Sequence, residues 1–141
     1  MRSVILLGLA AALAAGGCDD RSYREIGAAI NVLVKKSHDL PGSAIERLRK
    51  IGRRAVPQIE TAMHTAGARG KVNLVAALDA VAEPESAAVL RHFAVYDRDP
   101  EVRRACEEVL AKWAAASDAR TAPAKLALAR VEEKRRLGLA E

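Results

Sequence analysis

Aromatic side chains are nearly missing from this 141-residue chain: one Trp, two Tyr and one Phe, 3% of the whole. That scarcity removes the stacking platforms used by single-stranded nucleic-acid binders, and the basic residues are interleaved with acidic ones rather than gathered into a stripe. No nucleic-acid partner is expected. Long apolar runs are also wanting, because the longest, residues 4 to 17, falls short of the roughly 20 residues that span a bilayer. The chain has three histidines, His38, His64 and His92, which fall in different segments without an HExxH pattern or a nearby cysteine, so no metal site is expected. There is no Gly-x-Ser-x-Gly elbow and no phosphate loop. Glu107 and Glu108, like Glu132 and Glu133, are neighbours that point apart on a helix, so they form solvated faces rather than an acid/base pair. No catalytic residue, no cofactor and no enzymatic activity are expected.

What is present begins with export grammar. Arg2 gives a positive start, residues 4 to 15 an apolar stretch, and Ala15, Gly16 and Gly17 the small side chains that precede a signal cleavage. Cys18 follows at once, with Asp19 and Asp20 after it. This arrangement resembles the lipobox of bacterial lipoproteins, with Ala15 standing where Leu is usual. The resemblance implies cleavage between Gly17 and Cys18, a signal peptide over residues 1 to 17, and a thioether-linked diacylglyceryl group on Cys18 holding the mature chain to a membrane. Several acyl chains grip far better than one, at about 0.8 kcal/mol per buried methylene. Without lipidation the chain would be secreted with a reactive thiol at Cys18. In enterobacterial lipoproteins an Asp directly after the lipidated Cys favours the inner membrane, so Asp19 tilts the expected address from outer to inner, facing the periplasm. Loss of residues 1 to 17 removes one basic residue, Arg2, and lowers the net charge from +5 to +4. Cys106 is then the only thiol left, so the fold stands on packing without a disulfide, and Cys106 reads as a small buried hydrophobe.

Ala- and Leu-rich composition favours helices, and apolar period with capping signals marks them out. A first helix is expected from Ser22, whose capping box with Glu25 opens a stripe of Ile26, Ile30, Leu33 and Val34, to Ser37, leaving residues 18 to 21 as a short tether. After a break at His38 to Gly42, Ser43 and Glu46 form a second capping box before Ile45, Leu48 and Ile51, and Gly52 ends that helix. Val56, Ile59, Met63 and Ala66 continue with Pro57 in the first turn, and residues 67 to 70, with Gly67 and Gly70 at their ends, read as a turn. Leu74, Val75, Leu78 and Val81 follow, then Leu90, Phe93 and Ala94 after Pro84. Asp99 and Pro100 open the clearest helix, with Val102, Cys106, Val109 and Trp113 on one stripe. A last helix starts after Thr121, with Pro123 in its first turn, and runs into Glu132-Glu-Lys-Arg-Arg136.

Aligning Leu48, Leu78 and Leu110 also aligns Ala44 with Leu74 and Cys106, and Ile51 with Val81 and Trp113, at offsets of 30 and 32. Leu-Arg-Lys-Ile-Gly52 followed by Ala55-Val-Pro57, and above all Asp97-Arg-Asp-Pro-Glu-Val-Arg-Arg-Ala105, resemble the short HEAT-like repeats found also in phycobilisome-lyase-type proteins. The likeness covers about residues 43 to 114. It implies an all-α domain over residues 22 to 141: a right-handed α-solenoid of two to three stacked helix pairs with a leading capping helix. It also implies that Asp97 and Arg103 tie adjacent repeats together, although Gly70-Lys71 replaces the usual Val-Arg in the second repeat. Each helix pair leaves an apolar face that its neighbour must cover. A plain helical bundle is the alternative.

Stacked helix pairs expose a broad protein-binding face, on which His64, Arg91 and His92 are the candidate contacts. The function expected is that of a non-catalytic, membrane-anchored adaptor or scaffold whose partner is another, unidentified envelope protein. Two alternatives differ in class: a structural lipoprotein bracing the membrane through Lys125, Arg130, Lys134, Arg135 and Arg136, and an enzyme or chromophore-lyase relative, which requires a polar pocket of converging titratable groups. Mass spectrometry of the protein extracted from its native membrane should find a mature N-terminus at Cys18 carrying diacylglyceryl mass. An unmodified Cys18 in that fraction rules the anchor out.

Overall fold

The computed structural model describes residues 17–35 and 42–139. The apolar stretch over residues 4 to 15, His38, most of the break around it and Glu141 lie outside the described residues. Within them the chain is all-helical: α1 (Gly17–Lys35), α2 (Gly42–Ile51), a 3-10 turn (Gly52–Ala55), α3 (Val56–Thr65), α4 (Ala68–Val81), α5 (Ser86–Tyr96), α6 (Pro100–Ala115) and α7 (Thr121–Arg136).

Two expected helix starts are corrected. Helix α1 begins at Gly17, not at Ser22, and residues 18 to 21 are helical rather than a tether. The extra turn carries ion pairs at i,i+4 spacing, Asp20 with Arg24 at 2.9 Å and Arg21 with Glu25 at 3.3 Å, which support an exposed helix by a few tenths of a kcal/mol each. The capping box of Ser43 and Glu46 does not form either. Ser43 is already helical, and Glu46 turns forward to take two bonds of 2.7 Å from Arg49, a bidentate geometry that a lone backbone N–H cannot match. By contrast Asp99 caps α6, accepting the Glu101 amide at 2.8 Å, with Pro100 next to it.

Chain reversals have local causes. Gly52 takes the left-handed φ of +68° that ends α2, and thirty residues on Ala82 takes φ +59° at the end of α4. Only the second carries a steric cost, because a Cβ crowds the carbonyl there. Between α6 and α7 the Asp118 carboxylate holds both the backbone amide and the guanidinium of Arg120. Hydrogen bonding from the Arg120 side chain, and then from its backbone, draws the Asp118 carboxyl down to about 2. Thr121 closes the same turn by donating its hydroxyl to the Ala116 carbonyl.

Helix α4 is the centre of the packing, touching α1, α2, α3 and α6. Its Leu74, Val75, Ala77, Leu78 and Val81 are all buried. The expected turn at residues 67 to 70 is shorter than supposed: Gly67 precedes α4, whereas Gly70 lies inside it and is buried. A Cβ at Gly70 would come within 3.3 Å of the Val34 Cα and the Ala66 side chain, so the absence of a side chain lets α1 and α4 approach. Asn73 strengthens that contact by donating to the Leu33 carbonyl at 2.9 Å. Several stripes shift by one position. In α2 the fully covered residues are Ala44 and Leu48, with Ile45 and Ile51 half-buried, and in α6 Leu110 replaces Val109 in the core. A neighbour on two sides widens the buried arc beyond a single seam.

Helices α4 and α6 run parallel, since Arg69 near the start of one pairs with Glu101 near the start of the other at 3.9 Å, while Asp79 near the end of α4 takes Lys112 at 2.7 Å and the Trp113 indole N–H at 2.8 Å. These pairs are separated by 32 to 34 residues, and Arg53 with Glu85, at 2.7 Å, repeats the step of 32. Helix α6 packs on α5 and α7, and α5 packs on α7. Ala82→Gly should raise stability by about 1 kcal/mol and Gly52→Ala should lower it by a similar amount, read as shifts of the urea midpoint. Equal midpoints for both variants and the parent would contradict the assigned backbone.

Candidate functional site

On α5 the sequence Arg91-His-Phe-Ala-Val-Tyr96 divides between two faces. Helical spacing turns Leu90, Phe93 and Ala94 into the core and leaves Arg91, His92 and Tyr96 outside. His92 and Tyr96, one turn apart, meet with ring centroids at 5.3 Å and planes inclined at 49°. From α3, His64 reaches the same patch, 5.6 Å from His92 and 5.0 Å from Phe93, and Phe93 meets His92 edge-on at 5.2 Å. Four rings therefore form a continuous ledge across α3 and α5, with Phe93 as its buried root. These spacings fall within the range of favourable edge-to-face and offset contacts.

The ledge has a supported back. Lys71 of α4 lies 5.8 Å above the Phe93 ring and makes a 2.6 Å ion pair with Asp97, whose side chain is only 3% exposed. Asp97 uses its other oxygen to accept the Asp99 amide at 2.9 Å. Asp97 thus ties the start of α6 to α4. Arg103 acts more locally, donating to the carbonyls of Asp97 at 2.7 Å and Arg98 at 3.2 Å. Lys71 stands 32 residues before Arg103, at the place where the repeat pattern departs from Arg, and it is Lys71 that bridges helices.

A groove of about 200 Å³ opens between this patch and α7, lined by Arg91, His92, Val95 and Tyr96 on one side and Arg130 and Lys134 on the other. Further along, Arg91 also borders a wider groove of about 610 Å³ walled by Pro84, Ala87, Ala88, Pro123 and Leu126, with Glu83 and Glu85 at the α4–α5 connection lining it too. The structure thus brings His64 and His92 into one patch and puts Arg91 beside it, at the junction of two grooves. Sequence reasoning missed Tyr96. Its signal was the i,i+4 step from His92, visible only once the outer face of α5 is known. Arg130 and Lys134 were noted for a membrane surface, not for a groove shared with α5.

The other singled-out residues have packing roles. Trp113 is fully buried, with its indole N–H on Asp79 and the Arg120 guanidinium 5.5 Å from its ring. Cys106 is a buried free thiol, and burial, with Asp97 and Glu107 nearby, pushes it up to about 12, far from the reactive thiolate range. Glu107 pairs with Arg135 at 2.7 Å and Glu108 with Arg104 at 3.5 Å, on different sides of α6. Among the described residues no three of His, Cys, Asp or Glu converge as a metal site requires, and no helix is long and apolar enough to cross a membrane. Comparison with protein-family models, curated proteins and solved structures found no match.

Lys71→Met leaves the Asp97 carboxylate buried without its cation and should cost about 3 kcal/mol, measured by urea denaturation. The double variant Lys71→Met/Asp97→Asn should recover part of that loss. A Lys71→Met protein as stable as the parent would show that the pair does not hold α4 to the α5–α6 turn.

Proposed function

We propose that this chain is a lipid-anchored, periplasm-facing adaptor that binds another envelope protein through the outer face of α3, α5 and α7. In this proposal the helices form a right-handed HEAT-like α-solenoid: α2 with α3, α4 with α5 and α6 with α7, with α1 as the leading cap. The parallel course of α4 and α6 and the 32-residue step of the pairs joining successive units support that arrangement, because stacked repeats place like residues next to like. The mature N-terminus at Cys18 would lie in the first turn of α1, so the lipid would be continuous with the packed domain and hold its surface close to the bilayer.

The observation that carries the binding role is the exposed ledge of His64, His92 and Tyr96 with Arg91 alongside. Tyr and Arg dominate binding energy at protein interfaces, and the chain sets its one exposed tyrosine outside α1 next to Arg91, which has no ion-pair partner among the described residues. Membrane bracing by α7 has less in its favour. Helix α1 packs on α2, α3 and α4, whereas α7 packs on α5 and α6, which separates the basic helix from the anchor. Arg135 is moreover engaged with Glu107 of α6.

Photo-crosslinking from position 64 in native membranes, followed by affinity capture, should recover the same envelope protein reproducibly. Arg91→Glu should reduce that yield by roughly tenfold or more, as expected for truncating or reversing an interface arginine. Capture of no partner under several mild detergents rejects the adaptor role.

A further inference from the structure

The chemistry of the α5–α7 cleft narrows what the partner must bring to it. Arg91, His92, Arg130 and Lys134 converge on a space of about 200 Å³ that no carboxylate lines. Arg130 has Glu133 as its ionic partner, while Arg91 and Lys134 form no ion pair among the described residues. Concentrating cations in this way creates a local positive field that only an anionic group offsets. The volume is below the roughly 300 Å³ at which small-molecule sites begin, so one or two side chains fill it.

The adjoining groove adds a second requirement. It shares Arg91 with the basic cleft and is walled by Pro84, Ala88, Pro123 and Leu126, with Leu126 61% exposed. Glu83 and Glu85 also line it, ahead of α5, and Glu85 is held by Arg53 at 2.7 Å, so the acidic part of a ligand is directed away from this end. The N-terminal parts of α5 and α7 build this apolar section and their C-terminal parts build the basic one, so the two helices run parallel and the track along them has a direction. Apolar contact is offered first, and positive charge about one to two turns later.

We infer that the α5–α7 track binds an acidic segment of the partner protein, an extended or helical stretch whose apolar residue seats against Leu126 and Pro123 and whose following carboxylates meet Arg91, Arg130 and Lys134. This rests on the adaptor role proposed above and assigns it a ligand chemistry. Tyr96 and His92 wall the basic end with flat rings, over which the aliphatic part of a Glu side chain packs while its carboxylate reaches the guanidinium groups. Binding weakens as salt screens the charges.

The test uses the purified full chain in detergent and a fluorescein-labelled peptide with one leucine followed by three glutamates, read by anisotropy. Binding should saturate, should fall as salt is raised, and should drop at least tenfold in Arg91→Glu/Lys134→Glu, with Arg91→Gln/Lys134→Gln as a milder variant and thermal melts confirming that both fold. Lys50→Glu, an exposed basic residue on α2, should leave the affinity unchanged. Equal binding of a peptide with lysines in place of the glutamates, or no effect of either double variant, overturns the inference. So does association with phosphatidylglycerol vesicles when the peptide does not bind, which assigns the charge to a lipid surface. Failure of the peptide while crosslinking from position 64 still captures a partner removes this ligand and leaves the adaptor role intact; failure of both removes both.

Discussion

Burial of α4 on opposite sides is the constraint from which the other contacts follow. A helix with one wet face can slide or rotate at small cost, but α4 has α1 and α2 against one side and α6 against the other. Its apolar arc must therefore be wide, which explains why Leu74, Val75, Ala77, Leu78 and Val81 are all covered. The same requirement explains Gly70, where the closeness of Val34 leaves no room for an ordinary side chain. Interiors packed as densely as crystals transmit such demands to their neighbours, so the positions of α1 and α6 are tied to one another through α4.

Polar ties fix the register that apolar packing alone leaves loose. Hydrophobic contact is non-directional, whereas Asn73 on the Leu33 carbonyl, Lys71 on Asp97 and Asp79 on the Trp113 indole each accept one geometry. Asp97 is the most economical of these, since its two oxygens bind the backbone of its own turn and a cation from α4. By holding the end of α5 against α4, it also sets the height of Phe93 and hence of the ring ledge above it. The surface proposed for binding is thus continuous with the buried network: His64, His92 and Tyr96 are displayed by a frame whose polar bonds lie one layer below.

Much of this was legible in the chain itself. Every helix from α2 to α7 was visible from apolar period and break residues, and the pairing of Asp99 with Pro100 marked the start of α6 to the residue. The capping boxes at Ser22 and Ser43 misled because they are local patterns with local competitors: ion pairs carried α1 one turn further back, and Arg49 took the carboxylate that Ser43 needed. Gly70 misled for a different reason. A glycine between two helical stretches looks the same in sequence whether it permits a turn or a close approach, and only the presence of Val34 across the gap distinguishes them.

The candidate surface shows the same division. His64 and His92 were singled out as exposed polar residues on separate helices, which needs nothing beyond helical periodicity. That they meet within 5.6 Å, with Tyr96 beside them and Arg91 facing Arg130 and Lys134 across a groove, depends on how α3, α5 and α7 lie against one another. The sequence by itself determined the helices, their apolar faces and the 32-residue step, because these arise from interactions a few residues apart or from a repeated pattern. Tertiary structure alone decided which exposed side chains share a surface, because residues 28 to 43 positions apart become neighbours only when the buried faces have chosen their partners.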